Sequence, residues 1–268
     1  VHASMRAPGQ AAWNGLRLVT QRRSGNFALE VSRAFEQQKA VVLRGFARTW
    51  PALDRWDDLE VFAEGVGDAT APVEVGGSYV AADRQRVYLA DYLMILKHLE
   101  EDATGEAKAQ VPRMYLAQHD LISDVPSLAE DIVVPTDVIE SCGKGHLQRT
   151  NFWIGPPECH SPMHKDPFHN LFVHMRGQKS VLLCPSLFSH CLDLHPPPQQ
   201  NTSRLDFATC NGDVDALFRA FPQLDEAGTE METATLSPGD ALYIPKGCFH
   251  YFASEGSKAT ASVNFWWL

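Results

Sequence analysis

The chain has 268 residues, a length that fits one large domain or two small ones. Its hydrophobic fraction of 44% and its charged fraction of 21% are those of an ordinary globular protein. The formal net charge of −10 excludes unspecific binding of nucleic acid, which needs a basic surface. No apolar run reaches the roughly 20 residues of a membrane span, so we expect neither nucleic acid nor a membrane as a partner.

The ends of the chain and its cysteines bear on assembly and compartment. The chain begins with Val1 rather than Met, so we expect a fragment of a longer protein, and it ends at Leu268 directly after the last predicted strand, which favours a monomer. The six cysteines form no disulfide framework, which predicts reduced thiols in an intracellular, nuclear or cytoplasmic protein. A zinc cluster of His190, Cys191 and His195 is disfavoured, because no fourth ligand follows at regular spacing.

The first part of the chain alternates helical and strand-like segments. Residues 1–25 are polar and irregular and predict a flexible N-terminal arm. The apolar spacing then predicts helices over 26–38, 50–64 and 90–99, with strands over 39–46, 71–75 and 114–117. Residues 26–150 are therefore expected to form an α/β portion.

From residue 151 onward the pattern is mostly that of β-structure. Predicted strands lie at 169–175, 179–184, 233–236, 241–244, 249–253 and 259–267. Residues 192–230 hold three consecutive prolines and a short amphipathic piece, which predicts an insertion between strands. We therefore expect a single domain over 26–268, in which a barrel over 151–268 packs on the α/β portion.

The triplet His164-Lys165-Asp166 carries the first chemical signal. Successive side chains of a strand point to opposite faces, so His164 and Asp166 point the same way and can bind one metal ion. One further histidine would complete the two-His, one-carboxylate set of non-haem Fe(II) oxygenases. The triplet alone is common by chance, and by itself it more often marks a strand-end histidine beside a surface aspartate.

His250 is the candidate for the third ligand. It follows a strand, a turn that contains Pro245 and Gly247, and the start of a second strand. This spacing of glycine, proline, glycine and histidine over 239–250 matches the second sequence motif of the cupin barrels. The two motifs stand in the expected order, about eighty residues apart, and their combination is far more specific than either motif alone.

Lys179 is a candidate for binding an anion. The sequence Arg176-Gly177 predicts a two-residue hairpin loop that pairs the strand 169–175 with the strand 179–184. That pairing would place on one face the side chains of Asn170, Phe172, His174 and Lys179. A buried ammonium needs an anionic partner, which a bound carboxylate could supply. A solvated lysine of the hairpin is the alternative.

With these motifs the chain resembles the JmjC-domain proteins, which are Fe(II)- and 2-oxoglutarate-dependent oxygenases. The resemblance covers roughly residues 37–268 and is carried by the segments 41–46, 50–53, 72–76, 115–119, 153–156, 161–167, 201–206 and 265–267. It is greatest to the small protein hydroxylases of the family, particularly the arginyl-hydroxylase branch. It implies a mainly β fold with flanking helices, in which a double-stranded β-helix (cupin or jelly-roll) barrel follows the α/β portion.

The resemblance also implies roles for individual residues. The iron ligands would be His164, Asp166 and His250, and Lys179 would pair with the distal carboxylate of 2-oxoglutarate. The other matched positions form two groups: beside the cosubstrate Tyr115, Asn170, Asn264 and Trp266, and in the arginine pocket Glu74, Trp153 and Ser161. The alternatives without function are packing in the core for Trp153 and Trp266 and an exposed position for Glu74.

The implied reaction uses Fe(II), 2-oxoglutarate and O2 to hydroxylate a protein or peptide side chain, with release of succinate and CO2. Arginine is the first expectation and lysine the second, because Glu74 would attract a guanidinium on which Trp153 would stack. N-methyl-lysine demethylation is the nearest alternative. An alternative from another class is a cupin-type binding or regulatory protein without turnover, and a small-molecule substrate also stays open.

Overall fold

A computed structural model of the chain describes residues 13–23, 25–76, 83–102, 104–106 and 110–268. The strands within these ranges are, in chain order, β1 Arg17–Leu18, β2 Gln21–Arg22, β3 Val41–Leu43, β4 Thr70–Val75, β5 Asp83–Tyr88, β6 Met114–His119, β7 Leu147–Gly155, β8 His160–Lys165, β9 His169–Arg176, β10 Gln178–Cys184, β11 Glu232–Leu236, β12 Ala241–Ile244, β13 Phe249–Glu255 and β14 Thr260–Trp267. The α-helices are α1 Phe27–Glu36, α2 Ala52–Arg55, α3 Leu59–Val66, α4 Leu89–Glu101, α5 Leu121–Asp124, α6 Thr136–Glu140 and α7 Val214–Ala220.

Two facing sheets build the barrel. One has the strand order β1-β11-β10-β13-β8, and the other has the order β2-β3-β12-β9-β14-β7-β6-β4-β5. Along the chain, β8 to β14 pass back and forth between the two sheets, which is the connectivity of a double-stranded β-helix. The predicted fold class, mainly β with flanking helices, is confirmed.

The central strands of the nine-stranded sheet are buried on both faces. All eight residues of β9 and all eight of β14 are buried, as expected for strands that are covered on both sides. On the outer face, Val173 and Phe265 pack with α-helical residues such as Val31 and Leu93 in one apolar cluster. On the inner face, Phe172 packs with residues of the five-stranded sheet. The barrel interior therefore lies between the sheets, and the helices cover the outside.

The predicted elements of the α/β portion are present, except that one predicted helix is divided into two. The predicted helix over 26–38 is α1, which Asn26 caps by accepting a hydrogen bond from the backbone N–H of Leu29 at 3.1 Å. The single helix predicted over 50–64 is wrong, because two helices, α2 and α3, occupy this range. Asp58 separates them: its carboxylate accepts from the backbone N–H of Glu60 at 2.9 Å and starts α3 anew.

The predicted hairpin between β9 and β10 is wrong. β9 pairs with β12 and β14, whereas β10 pairs with β11 and β13 in the other sheet. The chain changes sheet at Gly177, where φ is +74° and an added Cβ would lie 2.8 Å from the carbonyl oxygen of Ala259. Phe172 and Lys179 still meet, because their strands face each other across the barrel, with the Lys179 ammonium 5.6 Å from the Phe172 ring centre.

The predicted flexible arm is wrong for the part that the structure describes. Residues 1–12 lie outside the described residues, but β1 pairs with β11 and β2 pairs with β3. The anchor is Trp13, which is 1% exposed and packs edge-on against Tyr251 at 6.0 Å between ring centres. A single tryptophan before two very short strands leaves no periodic pattern in the sequence, which explains the error.

The connection from β10 to β11, residues 185–231, replaces a simple loop with helical turns. Its apolar side chains, including Phe207, Leu217 and Leu224, form a separate cluster with Tyr251 of β13. It also lies against β8, since the backbone N–H of Ser203 donates to the carbonyl of Met163 at 2.8 Å. The predicted insertion over 192–230 falls within the range of this connection.

Two expectations about the whole chain can be compared with the structure. All six cysteines are free thiols, in agreement with the predicted lack of a disulfide framework. Among the described residues, no helix combines the length and the apolar character that a membrane span needs.

Candidate active site

Three metal-ligand side chains converge at one end of the barrel. His164 stands on β8, Asp166 directly follows that strand, and His250 lies opposite His164 on the neighbouring strand β13. The Nε2 atom of His164 is 3.9 Å from one carboxylate oxygen of Asp166, and the Nε2 atom of His250 is 3.5 Å from the other. The ligating atoms of the three residues all lie within 4.8 Å of one another. The adjacent strands therefore assemble the predicted cluster.

Backbone carbonyls fix the orientation of both imidazoles. The Nδ1 atom of His164 is 2.7 Å from the carbonyl oxygen of Pro162, and the Nδ1 atom of His250 is 3.1 Å from that of Cys248. Because a carbonyl only accepts, each Nδ1 carries a hydrogen and donates it. The lone pair of each Nε2 then faces the centre of the cluster, which is the tautomer that a metal ion requires.

The charge states also suit a metal ion. Burial, followed by the proximity of His250, lowers the pKa of His164 to about 4, so this imidazole is neutral at pH 7. Burial alone would raise the pKa of Asp166, but hydrogen bonding and charge from His250 outweigh it and the pKa lies below its ordinary value. The neutral imidazole of His164, the Nε2 atom of His250 and one carboxylate, all on one side of a centre, fit the facial ligand set of non-haem Fe(II).

Lys179 lies deeper in the same cavity. It is 2% exposed, and its ammonium donates a hydrogen bond to the phenolic oxygen of Tyr115 at 3.2 Å. Burial lowers the pKa of Lys179, and no carboxylate of the described residues contributes to it. The rings of Tyr115, Phe172 and Phe252 surround the ammonium at 5.6 to 5.9 Å. A buried ammonium without a carboxylate partner is matched to a bound anion.

Gly155 creates the space for the ring of Tyr115. A Cβ at this position would overlap the ring of Tyr115 and would lie 2.9 Å from the sulfur of Cys159. Burial raises the pKa of Tyr115 well above its ordinary value, so its hydroxyl keeps a hydrogen to donate. Gly155 belongs to the segment 153–156 that carried the family resemblance, but the sequence did not indicate this steric role.

A chain of side-chain amides links the metal-ligand cluster to Trp153. Asn170 donates to Asp166 at 3.2 Å, and Asn264 donates to the side-chain oxygen of Asn170 at 3.1 Å. The oxygen of Asn264 in turn accepts from the indole N–H of Trp153 at 3.0 Å and from Asn151 at 3.1 Å. The network holds both the carboxylate of Asp166 and the edge of the indole. The sequence did not indicate Asn151, because its neighbour on β14 is fixed only by strand pairing.

The cavity brings together most of the residues that the sequence suggested. Its lining consists of Tyr115, Trp153, Ser161, His164, Asp166, Asn170, Phe172, Lys179, His250, Phe252 and Asn264. Two suggested residues lie outside this lining. Trp266 is buried against Phe168, with ring centres 5.5 Å apart, and the carboxylate of Glu74 is bound by Arg84 at 2.8 Å. Their proposed roles, like those of the cosubstrate and substrate residues within the cavity, stay predictions.

A double-stranded β-helix with a two-His, one-carboxylate cluster defines a metal-binding barrel of the cupin class. The profile of the family described as "Cupin-like domain" matches residues 28–268. The chain therefore belongs to the cupin-like domain family.

Curated relatives place the chain more closely. It is 31% identical over 242 residues to "Jumonji C domain-containing protein 5" of Drosophila melanogaster, covering 88% of this chain and 56% of the relative. It is 32% identical over 232 residues to "Lysine-specific demethylase JMJ30" of Arabidopsis thaliana, covering 85% and 49%. It is 30% identical over 237 residues to "Lysine-specific demethylase 8" of Xenopus tropicalis, covering 86% and 48%.

These matches, together with the cupin-like domain, identify a JmjC-domain protein. The chain spans about half the length of the curated relatives that it matches. The predicted family is therefore confirmed, while the arginyl-hydroxylase branch within it is not specifically supported.

Proposed function

We propose that this chain is an Fe(II)- and 2-oxoglutarate-dependent oxygenase that oxidises a basic side chain of a protein. The observation that carries the proposal is the combination, in one cavity, of the His164, Asp166 and His250 cluster with the buried ammonium of Lys179. The cluster would hold Fe(II), and Lys179 with Tyr115 would hold the distal carboxylate of 2-oxoglutarate. When bound, iron and 2-oxoglutarate supply the power to oxidise a C–H bond with O2, as 2-oxoglutarate becomes succinate and CO2.

In this scheme the protein side chains bind the metal ion and the cosubstrate, orient them and shield them from water. Asp166 offsets part of the charge of the metal ion, and Lys179 offsets the charge of the cosubstrate. Phe172 and Phe252, both of which line the cavity, keep water away from the ammonium and so strengthen its attraction for a carboxylate. The amide of Asn170 holds Asp166 in a fixed orientation.

We infer that the first candidate substrate is an N-methylated lysine. Two of the relatives described above carry the name lysine-specific demethylase. Oxidation of an N-methyl C–H bond is the same reaction as side-chain hydroxylation, delivered to a different carbon. The iron cluster and the Lys179 end of the cavity would therefore serve this substrate without change.

Arginyl hydroxylation is the second candidate, and one contact favours it. Glu74 lies directly opposite Tyr115 in the pairing of β4 with β6, and directly opposite Arg84 in the pairing of β4 with β5. Directly opposite residues of antiparallel strands share a face, so these three side chains form one row beside the cavity. Within the chain, Glu74 accepts a hydrogen bond from the guanidinium of Arg84 at 2.8 Å, a contact that supports a role for its carboxylate in binding a substrate guanidinium.

Product analysis distinguishes these functions. The chain is incubated with Fe(II), 2-oxoglutarate and peptides that contain arginine, lysine or mono-, di- or trimethyl-lysine, and succinate release and peptide mass are measured. Demethylation removes one methylene from the peptide mass, whereas hydroxylation adds one oxygen atom. We expect succinate release above the peptide-free level for at least one class, and none with the Asp166→Ala variant. Peptide-independent succinate levels for every class would contradict a protein substrate.

A further inference from the structure

A second cluster of metal-ligand side chains lies outside the active site, on the connection 185–231. His190 and Cys191 are the last two residues of the 3-10 helix Ser186–Cys191, and Glu226 follows the 3-10 helix Pro222–Leu224. Their ligating atoms all lie within 4.8 Å of one another. The Nε2 atom of His190 is 3.1 Å from a carboxylate oxygen of Glu226.

We propose that His190, Cys191 and Glu226 form an accessory binding site for a divalent metal ion of the zinc type. Imidazole, thiolate and carboxylate are the three ligand types that zinc takes from proteins, and three such ligands leave a fourth position for water. Binding replaces the proton of the Cys191 thiol with the metal ion and releases that proton to solvent. A thiolate and a carboxylate together carry two negative charges, so a divalent ion gives a neutral site.

The burial of the three residues suits ion binding at the surface. Cys191 is 3% exposed and belongs to an apolar cluster, while the side chains of His190 and Glu226 are 58% and 66% exposed. An ion would therefore enter from solvent and rest on the buried sulfur. Burial and the charge of Glu226 raise the pKa of the Cys191 thiol, and a divalent ion at this place reverses that effect.

A plain surface pair of His190 with Glu226 accounts for only part of this arrangement. It explains the contact of 3.1 Å, but it does not account for the sulfur of Cys191 lying within 4.8 Å of both groups. The sequence disfavours a zinc cluster of His190, Cys191 and His195, and in the fold Glu226 joins His190 and Cys191. Glu226 is 36 positions from His190 along the chain, so sequence spacing could not indicate it.

The position of the site gives it a structural consequence. An ion would join the beginning and the end of the connection between β10 and β11. The middle of that connection pairs with β8, where Thr202 lies opposite His164 of the active-site cluster. A metal ion would therefore clamp a segment that forms part of the wall beside the active site.

Cobalt(II) titration of the full chain tests the proposal, because a thiolate ligand gives Co(II) a charge-transfer absorption in the near ultraviolet. The active-site cluster contains no thiol and cannot produce this band. We expect the wild-type chain to bind two equivalents of Co(II), one of which produces the band, and we expect zinc to abolish it by competition. The Asp166→Ala variant should lose the other equivalent and keep the band.

Variants of the three residues complete the test. Cys191→Ser should abolish the band. The substitutions His190→Ala and Glu226→Gln, at exposed positions, should lower the affinity for the cobalt ion that produces the band about tenfold or more. His195→Ala, a nearby histidine outside the cluster, is the matched control and should behave as wild type. The proposal is overturned if the wild-type chain shows no band at saturation, if Cys191→Ser keeps it, or if Glu226→Gln and His190→Ala bind cobalt as tightly as His195→Ala does.

Discussion

The ammonium of Lys179 and the phenolic oxygen of Tyr115 meet at 3.2 Å between the two sheets of the barrel. Lys179 comes from β10 of the five-stranded sheet, and Tyr115 comes from β6 of the nine-stranded sheet. Because the ammonium donates this hydrogen bond, the hydroxyl hydrogen of Tyr115 remains available. The two side chains can therefore donate together to one carboxylate of a bound dianion.

The first prediction concerns this pair. Lys179→Met removes the charge and keeps most of the side-chain volume. A hydrogen bond to a charged group contributes about 1.5–3 kcal/mol, so we expect the Kd for 2-oxoglutarate to rise about 10- to 100-fold. Calorimetry with Mn(II) in place of iron measures this Kd, and Mn(II) binding itself should be unchanged. Tyr115→Phe should have a smaller effect in the same direction, and an unaltered Kd in Lys179→Met would refute the assignment.

The second prediction concerns Gly155. Gly155→Ala places a methyl group against the ring of Tyr115, which must move. We expect unfolding by urea to show a loss of about 1–3 kcal/mol, together with weaker binding of 2-oxoglutarate. Gly65→Ala is the matched control, because a Cβ there meets nothing within 4 Å and Gly65 lies in helix α3. Equal stability of the two variants would show that Gly155 does not position Tyr115.

The third prediction concerns acid stability. Burial lowers the pKa of His164 to about 4 and that of His174 to about 3. In the unfolded chain each histidine binds a proton as the pH falls below about 6.5, whereas the folded protein resists protonation until its lower pKa. Stability is therefore full above pH 6.5 and falls toward pH 4, by up to about 1.4 kcal/mol per pH unit for each histidine.

Urea unfolding of the metal-free chain at a series of pH values measures this slope. In the wild type the hydroxyl of Ser262 lies 2.9 Å from the Nδ1 atom of His174. His174→Asn keeps a polar group near Ser262, but the asparagine cannot titrate. The slope between pH 6.5 and pH 4 should fall by the contribution of one histidine. An identical slope in the variant would mean that His174 does not stay neutral in the folded protein.

The fourth prediction concerns the row of Arg84, Glu74 and Tyr115. The side chain of Arg84 is 59% exposed, so its ion pair with Glu74 adds little stability. If Glu74 receives the cation of the substrate, Arg84 competes for it. Arg84→Ala should then lower the KM for the peptide substrate and leave kcat unchanged. Arg86→Ala, which removes another exposed arginine of β5, is the control. A KM that rises or stays constant in Arg84→Ala would contradict a role of Glu74 in binding substrate.

The sequence predicted the parts of this molecule that depend on short-range patterns. The triplet at His164 and the motif that ends at His250 each lie within a few residues, and the structure brings them together. Strand alternation also placed Asn170 and Phe172 on the face of β9 that lines the cavity.

Features that depend on pairing between distant strands could not be predicted in this way. A glycine between two strands indicates a hairpin, yet at Gly177 the chain passes into the other sheet. The strands that pair with β9 and β10 are β11 to β14, which come much later in the chain. The steric role of Gly155 and the contact of Asn151 with Asn264 likewise depend on which strands are neighbours. The anchoring of Trp13 depends on a pocket that the connection 185–231 helps to build.

The most direct test of the central claim is the visible absorption that arises when 2-oxoglutarate chelates Fe(II). It is recorded without O2, on the full chain, as 2-oxoglutarate is added to the protein with Fe(II). We predict that 2-oxoglutarate produces a band whose full intensity corresponds to one bound iron ion per chain. The band should be absent in Asp166→Ala, and in Lys179→Met it should need a much higher concentration of 2-oxoglutarate. A wild-type chain that gives no band, or an Asp166→Ala variant that gives the full band, would contradict the assignment of His164, Asp166 and His250 as the iron site.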